Sequence, residues 1–105
     1  MLIGIDFDHT IVDSATAEPL PGVRDAISRL RELGHKILVH SCNNPRYIKQ
    51  WMLDHDIRHD YIWEDKGKPV CDIYIDDRAY RFPFNGDWNE ELPKILDTLK
   101  LRNPI

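Results

Sequence analysis

Apolar runs and amphipathic helical patterns alternate along this chain, and the alternation restricts its fold more than any other feature. Four segments are predicted to be buried strands: Leu2–Phe7, Lys36–Ser41, Tyr61–Trp63 and Asp72–Ile75. Three are predicted to be helices: Gly22–Leu33, a segment that opens at Asn44 with Pro45 in its first position, and Glu90–Leu101. Strands separated by helices pair in parallel through right-handed crossovers. The sequence therefore predicts an α/β fold with a parallel sheet.

Three of the predicted strands end in groups suited to binding a cation or a phosphate. Asp6 and Asp8 end the first, Ser41 ends the second, and Asp76 and Asp77 end the fourth. In a parallel sheet these ends share one edge, where ligands bind. Carboxylates gathered there repel one another. Mg²⁺ relieves such repulsion, because it binds carboxylate oxygens and keeps other positions for water and phosphate. We therefore predict a Mg²⁺ site at this edge.

The same edge carries groups that suit phosphoryl transfer. A carboxylate can act as a covalent nucleophile towards phosphorus. The transferred group also needs cationic and neutral hydrogen-bond donors around its oxygens. Ser41 can supply a hydroxyl, and either Lys66 or Lys68 can supply an ammonium group.

These motifs resemble those of the haloacid dehalogenase superfamily of phosphohydrolases. The sequence DFDHT at residues 6–10 matches the first motif, Asp-x-Asp-x-Thr, and Ser41 after an apolar run matches the second. Lys68-Pro69 followed by DIYIDD at residues 72–77 matches the third and fourth. All four occur in the family's order. The resemblance implies a Mg²⁺-dependent phosphatase that acts through an aspartyl-phosphate.

The length of 105 residues predicts one domain, residues 1–105, and the resemblance implies its architecture. It is a three-layer α/β/α, doubly wound parallel sheet of four to five strands, the Rossmann-like core of that superfamily. One place for a cap domain lies between Asp8 and the first helix, and the other lies between Ser41 and Lys68. Neither has room for one, so we expect an open site without a cap domain. Such a site suits a large substrate or a lid supplied by a neighbouring subunit, which makes a homo-oligomer possible.

The resemblance assigns roles position by position. Asp6 is the nucleophile, and Asp8 is first the general acid and then the base that activates water. Ser41 binds phosphoryl oxygens, Lys68 neutralises charge on the phosphate and on Asp6, and Thr10 shapes the first loop. The implied metal ligands are Asp6, Asp8 (through its backbone carbonyl), Asp76 and Asp77, with the direct ligand among the last two left open.

Further residues near the motifs are candidates for contacts with substrate. Asn43 and Arg46 are predicted to bind substrate, and Arg46, like Arg78 and Arg81, offers a charge for a second anionic group. His9 stands where the family usually has a small residue, and either contacts substrate or faces solvent.

Composition narrows the partners. The net charge of −4 at pH 7 disfavours general nucleic-acid binding, and no apolar run approaches the roughly 20 residues of a membrane span. The amino-terminal stretch does not read as a signal peptide, and two cysteines make no disulfide framework. We expect a cytoplasmic protein with reduced thiols. Its partner is predicted to be a phosphorylated small molecule or the phosphorylated end of a larger substrate.

Two other functions remain open from the residues. Receiver domains, which are non-enzymatic phospho-acceptors, also place acids, a lysine and a hydroxyl at the strand ends of a doubly wound sheet. They lack a general acid two residues after the phosphorylated aspartate, so Asp8 favours turnover. The other is a capless family member that has lost its activity and binds a partner.

Overall fold

The computed structural model describes residues 1–64, 70–76, 80–83 and 85–102. In this part the strands are β1 (Leu2–Asp6), β2 (Lys36–His40), β3 (Tyr61–Ile62), β4 (Ile73–Asp76) and the short β5 (Tyr80–Arg81). The helices are α1 (Val23–Glu32), α2 (Pro45–Asp54) and α3 (Trp88–Arg102). The strands lie in the order β3-β2-β1-β4-β5, and the paired strands run parallel. The predicted α/β fold with a parallel sheet is confirmed.

Strand β1 lies at the centre of the sheet. Ile3 is level with Ile37 of β2 on one side and with Ile73 of β4 on the other. The chain runs outward from β1 to β2 and β3, and then returns to the other side of β1 for β4. The strand order therefore reverses between β1 and β4. In open parallel sheets a reversal of this kind marks the place where ligands bind, beyond the carboxyl ends of the strands.

The helices begin and end close to where their sequence signals place them. The side chain of Asn44 accepts a hydrogen bond from the backbone N–H of Arg46 at 2.9 Å, and Pro45 follows as the first helical residue of α2. After α1, Gly34 has a φ of 92°, which a residue with a side chain rarely adopts. Helix α3 starts at Trp88, two residues before the predicted Glu90. Among the described residues, no helix combines the length and the hydropathy needed to cross a membrane.

The hydrophobic core covers one face of the sheet. Its strand members are all odd-numbered, and alternate residues of a strand share a face: Ile3, Ile5, Ile37, Val39, Ile73 and Ile75. The same cluster contains side chains from each helix: Ile27 and Leu30 of α1, Ile48 and Met52 of α2, and Ile95 and Leu99 of α3. All three helices therefore pack against this one face.

The opposite face of the sheet is built differently. Gly4 lies on it, and a Cβ atom there would stand only 2.8 Å from Sγ of Cys71 and 3.2 Å from the Tyr74 ring, so glycine permits this close approach. The expected second layer of helices is not found among the described residues. The connection from β3 to β4 is short: it spans residues 63–72, of which 65–69 lie outside the described residues. A crossover that contains a helix needs about a dozen residues or more.

Candidate functional site

The parallel sheet brings three distant parts of the chain to one edge. Asp6 is level with His40, so Ser41 follows directly beside the end of β1. On the other side Ile5 is level with Ile75, and the backbone of Asp76 ends β4 next to Asp6. The predicted convergence of these strand ends is therefore present in the backbone.

The side chain of Asp8 is held by the loop that follows β2. The Ser41 hydroxyl donates to Oδ2 of Asp8 at 2.6 Å, and Nδ2 of Asn43 donates to Oδ1 at 2.9 Å. The backbone N–H of Asn43 in turn donates to the Ser41 hydroxyl at 3.0 Å. Two neutral donors thus fix both oxygens of one carboxylate. Asn43 was predicted to bind substrate, and its contact with Asp8 was not predicted.

Residues 7–20, here called the first loop, fold back on themselves immediately after β1. The backbone N–H groups of Ile11 and Val12 both donate to the carbonyl of Phe7, at 3.0 and 3.1 Å. His9 adopts a φ of 62°, a left-handed conformation in which histidine is more common than most residues with side chains. This half-buried residue therefore turns the chain. The tight turn that these bonds close includes Asp8.

Two tryptophan indoles hold the first loop from outside. Nε1 of Trp88 donates to the carbonyl of Thr10 at 2.6 Å, and Nε1 of Trp51 donates to the carbonyl of Ala17 at 2.9 Å. Both side chains are buried in the core, and each also makes this polar contact. No local pattern in the sequence indicates these two hydrogen bonds, because their partners are 78 and 34 residues apart. These contacts make the first loop part of the packed structure.

A cavity of about 420 Å³ opens beside Asp8. The first loop forms one wall and the start of α2 forms the other, with Asp13 and Tyr47 facing it from the two sides. The Tyr47 side chain is 48% exposed, and its ring meets that of Phe7 edge to face at 6.3 Å. Volumes of this size accept small organic ligands.

Several predicted site residues are not joined to this arrangement. Lys66, Lys68, Asp77 and Arg78 lie outside the described residues, as do the side chains of Asp76 and Arg81. Arg46 is exposed on the first turn of α2 and does not line the cavity. Among the described side chains, no group of three or more His, Cys, Asp or Glu is placed to hold a metal ion. The proposed Mg²⁺ site depends on acids beyond that set.

A different carboxylate lies at the opposite, amino edge of the sheet. Asp60 accepts hydrogen bonds from Nε and Nη2 of Arg31 at 3.3 and 3.2 Å, and from the backbone N–H of Ile37 at 2.8 Å. Burial alone would raise the pKa of Asp60, but these bonds and the charge of Arg31 outweigh it and leave the pKa below its ordinary value. Burial also lowers the pKa of the nearby His35.

Comparison of the chain with models of known protein families, with curated proteins and with solved structures found no match.

Proposed function

We propose that this protein is a Mg²⁺-dependent phosphatase of the haloacid dehalogenase type, which hydrolyses phosphomonoesters through an aspartyl-phosphate on Asp6. The observation that carries the proposal is the 2.6 Å contact between Ser41 and Asp8, which joins two of the sequence motifs across 33 residues. The contact lies at the edge where β1, β2 and β4 end. This is where parallel sheets of this order bind ligands.

The strand order supports a doubly wound, Rossmann-like core for the proposed enzyme. The chain leaves β1 in one direction and returns to its other side, as such cores do. The three described helices pack against one face of that sheet. The open edge beside Asp8 also fits a capless enzyme. Only residues 9–22 lie between Asp8 and α1.

In the first step a carboxylate oxygen of Asp6 attacks phosphorus, and the bond between phosphorus and the ester oxygen breaks. That oxygen keeps the bonding electrons and takes a proton from Asp8, so the alcohol leaves neutral. Ser41 now donates to Asp8, and on substrate binding the same hydroxyl turns to a phosphoryl oxygen. The exchange frees Oδ2 of Asp8 for the proton. Asn43 acts as a positioning residue, because it holds the other oxygen.

In the second step a water molecule attacks the phosphorus of the aspartyl-phosphate while Asp8 takes one of its protons. The bond from phosphorus to Asp6 breaks, phosphate leaves, and the Asp6 carboxylate is regenerated. Lys68 is proposed to neutralise the phosphoryl charge. Asp6, Asp76, Asp77 and the Asp8 carbonyl would hold Mg²⁺, which when bound offsets negative charge on the phosphoryl oxygens.

The nucleophile is tested by Asp6→Asn. Release of phosphate from 4-nitrophenyl phosphate with Mg²⁺ present should fall by about a thousandfold or more, because an amide cannot form the acyl-phosphate. The far-ultraviolet circular dichroism should be unchanged. Asp25→Asn removes the same charge from a side chain that is 88% exposed on α1, and should leave the rate as it is. An Asp6→Asn protein as fast as the parent contradicts the mechanism.

The metal is tested by chelation. Treatment with EDTA should abolish phosphate release, and an excess of Mg²⁺ should restore it, since the clustered acids need a cation to accept an anionic substrate. Activity that survives exhaustive chelation would show that the acids work without the metal.

The phospho-acceptor alternative predicts a different product. Incubation with acetyl phosphate would then yield a phosphorylated protein that persists, with no catalytic release of phosphate from small esters. The proposed phosphatase should show steady turnover, because Asp8 lies two residues from Asp6 and can activate water.

A further inference from the structure

The cavity beside Asp8 is lined by side chains, among them Asp13 and Tyr47, that the proposed reaction does not use. It lies between residues 12–17 of the first loop and residues 43–47 around the start of α2. Asp8 is one of its lining residues, whereas Asp6 is not among those described. The cavity thus adjoins the general acid and lies to one side of the nucleophile.

This placement identifies what the cavity would hold. A general acid must come within hydrogen-bond distance of the oxygen that it protonates. The alcohol part of the ester, which carries that oxygen, must therefore lie next to Asp8. Since the phosphoryl group is directed at Asp6, the cavity is left for the alcohol.

The charge of the cavity limits that alcohol. Asp8 and Asp13 both line it, and no lysine, arginine or histidine is found among the described lining residues. A second phosphate or a carboxylate on the substrate would face Asp13, and no described lining residue would supply a cation to offset the repulsion. At an effective dielectric constant of about 40 and a separation of about 6 Å, Coulomb's law gives a repulsion equivalent to about tenfold in affinity.

Asp13 instead suits a hydrogen-bond donor. The backbone N–H of Ala15 donates to its Oδ1 at 2.9 Å, and Nδ2 of Asn85 donates to the same oxygen at 3.4 Å. Within the part of the chain that the structure describes, both bonds end on one oxygen. Oδ2 therefore keeps its capacity to accept from a hydroxyl or an amide of a ligand.

Tyr47 gives the opposite wall an apolar surface. About half of its side chain is exposed, and the edge-to-face contact with Phe7 keeps the ring in place. Trp51 contacts two residues that line the cavity. Its ring packs on Phe7 with the ring centroids 5.1 Å apart, and its indole N–H donates to the Ala17 carbonyl. A flat or apolar group can lie against such a preformed wall.

We propose that this cavity selects phosphomonoesters whose alcohol part is uncharged, offers hydrogen-bond donors and has a flat apolar face, and that it rejects esters with a second anionic group. The inference rests on the proposed function, since it takes Asp8 to be the general acid. It assigns Asp13 and Tyr47 as specificity-determining residues.

An isosteric pair of substrates tests the charge rule. Phosphate release is measured from 4-carbamoylphenyl phosphate, which is neutral beyond its phosphate, and from 4-carboxyphenyl phosphate, which is anionic there. The parent protein should favour the neutral ester about tenfold in kcat/KM. Asp13→Asn keeps an acceptor oxygen for Ala15 but removes the charge, and should bring the ratio close to one. Asp25→Asn, the matched exposed control, should leave the ratio unchanged.

The apolar wall is tested by Tyr47→Ala with the neutral ester. This change should raise KM several-fold and alter kcat little, because it removes a surface that supports the alcohol in ground state and transition state alike. The product 4-hydroxybenzamide, at millimolar concentration, should also shift the amide resonances of residues 13–17 and 43–47 in the parent protein.

The outcomes separate the two proposals. Equal kcat/KM for both esters, with no effect of Asp13→Asn, overturns the cavity's role and leaves the phosphatase intact. A preference that Asp25→Asn abolishes as fully as Asp13→Asn also overturns it, because the net charge would then be responsible. Hydrolysis of neither ester, with no turnover of 4-nitrophenyl phosphate, overturns the phosphatase and this inference with it.

Discussion

The two edges of the sheet each hold a carboxylate in a hydrogen-bond network, and the networks differ in charge. At the amino edge Asp60 is paired with the guanidinium of Arg31 and bonded to a backbone N–H. At the carboxyl edge Asp8 accepts from a hydroxyl and an amide, which are neutral. The first carboxylate is paired with a cation, whereas the donors described around the second are neutral.

This difference fits a structural role for Asp60 and the proposed general-acid role for Asp8. The Asp60 side chain is 14% exposed and Arg31 is 32% exposed, so each needs the other to offset the loss of water. Asp8 lies at the end of a strand beside an open cavity, where a substrate or a cation can reach it. We infer that an acid held by neutral donors at this edge is kept for reaction with a ligand.

The largest expected effect comes from neutralising each acid in turn. Asp8→Asn should lower kcat for phosphate release by about a hundredfold to ten-thousandfold, because the general acid and base is lost. Asp60→Asn should leave kcat unchanged, because Asp60 lies at the other edge. Steady-state kinetics on folded variants checks both, and a similar loss in both variants would remove the distinction between the edges.

Truncation of each acid to alanine should have the opposite order of effects on the free energy of unfolding: the change at Asp60 should cost more than the change at Asp8. Asp60→Ala strands the Arg31 guanidinium and the Ile37 N–H, and should lower the free energy of unfolding by about 2 to 3 kcal/mol. Asp8→Ala should cost under about 1 kcal/mol, because water can satisfy the hydroxyl and amide at the open edge. Urea denaturation gives both values. A larger cost at Asp8 would mean that this carboxylate is structural.

The smallest expected effect is a loss of stability at low pH. The pKa of His35 in the folded protein lies below its ordinary 6.5, so its contribution to stability is complete above pH 6.5 and is lost as the pH falls below that. Asp60, whose pKa lies below its ordinary 3.8, contributes fully above pH 3.8 and loses this contribution only below that. Thermal melts should therefore show a first decline in Tm below pH 6.5, and His35→Gln should remove it. A Tm that is flat down to pH 4 in the parent contradicts the assignment.

Much of the fold follows from local signals in the sequence. The apolar runs place β1 and β2 within one residue of their observed ends, and the cap and proline at 44–45 fix the start of α2. Parallel pairing then follows from chain connectivity. The second helical layer was expected from family resemblance rather than from a pattern in residues 63–72, and among the described residues it is not found.

The site was predictable at the level of strand ends but not of side-chain contacts. The end of a strand locates Asp8 and Ser41, because the strands share an edge. Nothing local indicates that Asn43 bonds Asp8 or that Trp88 bonds the Thr10 carbonyl. Both contacts arise only when distant segments pack together, and a buried tryptophan reads in the sequence simply as an apolar residue.

The indole of Trp88 has a consequence for how the protein is made. In the loop that carries Asp8, the Thr10 carbonyl accepts a hydrogen bond from a residue 78 positions later. A nascent chain on the ribosome lacks this support until translation has passed Trp88 and the residue has emerged from the exit tunnel. The loop around Asp8 therefore gains one of its supporting hydrogen bonds only after a segment 78 residues further along the chain has been made.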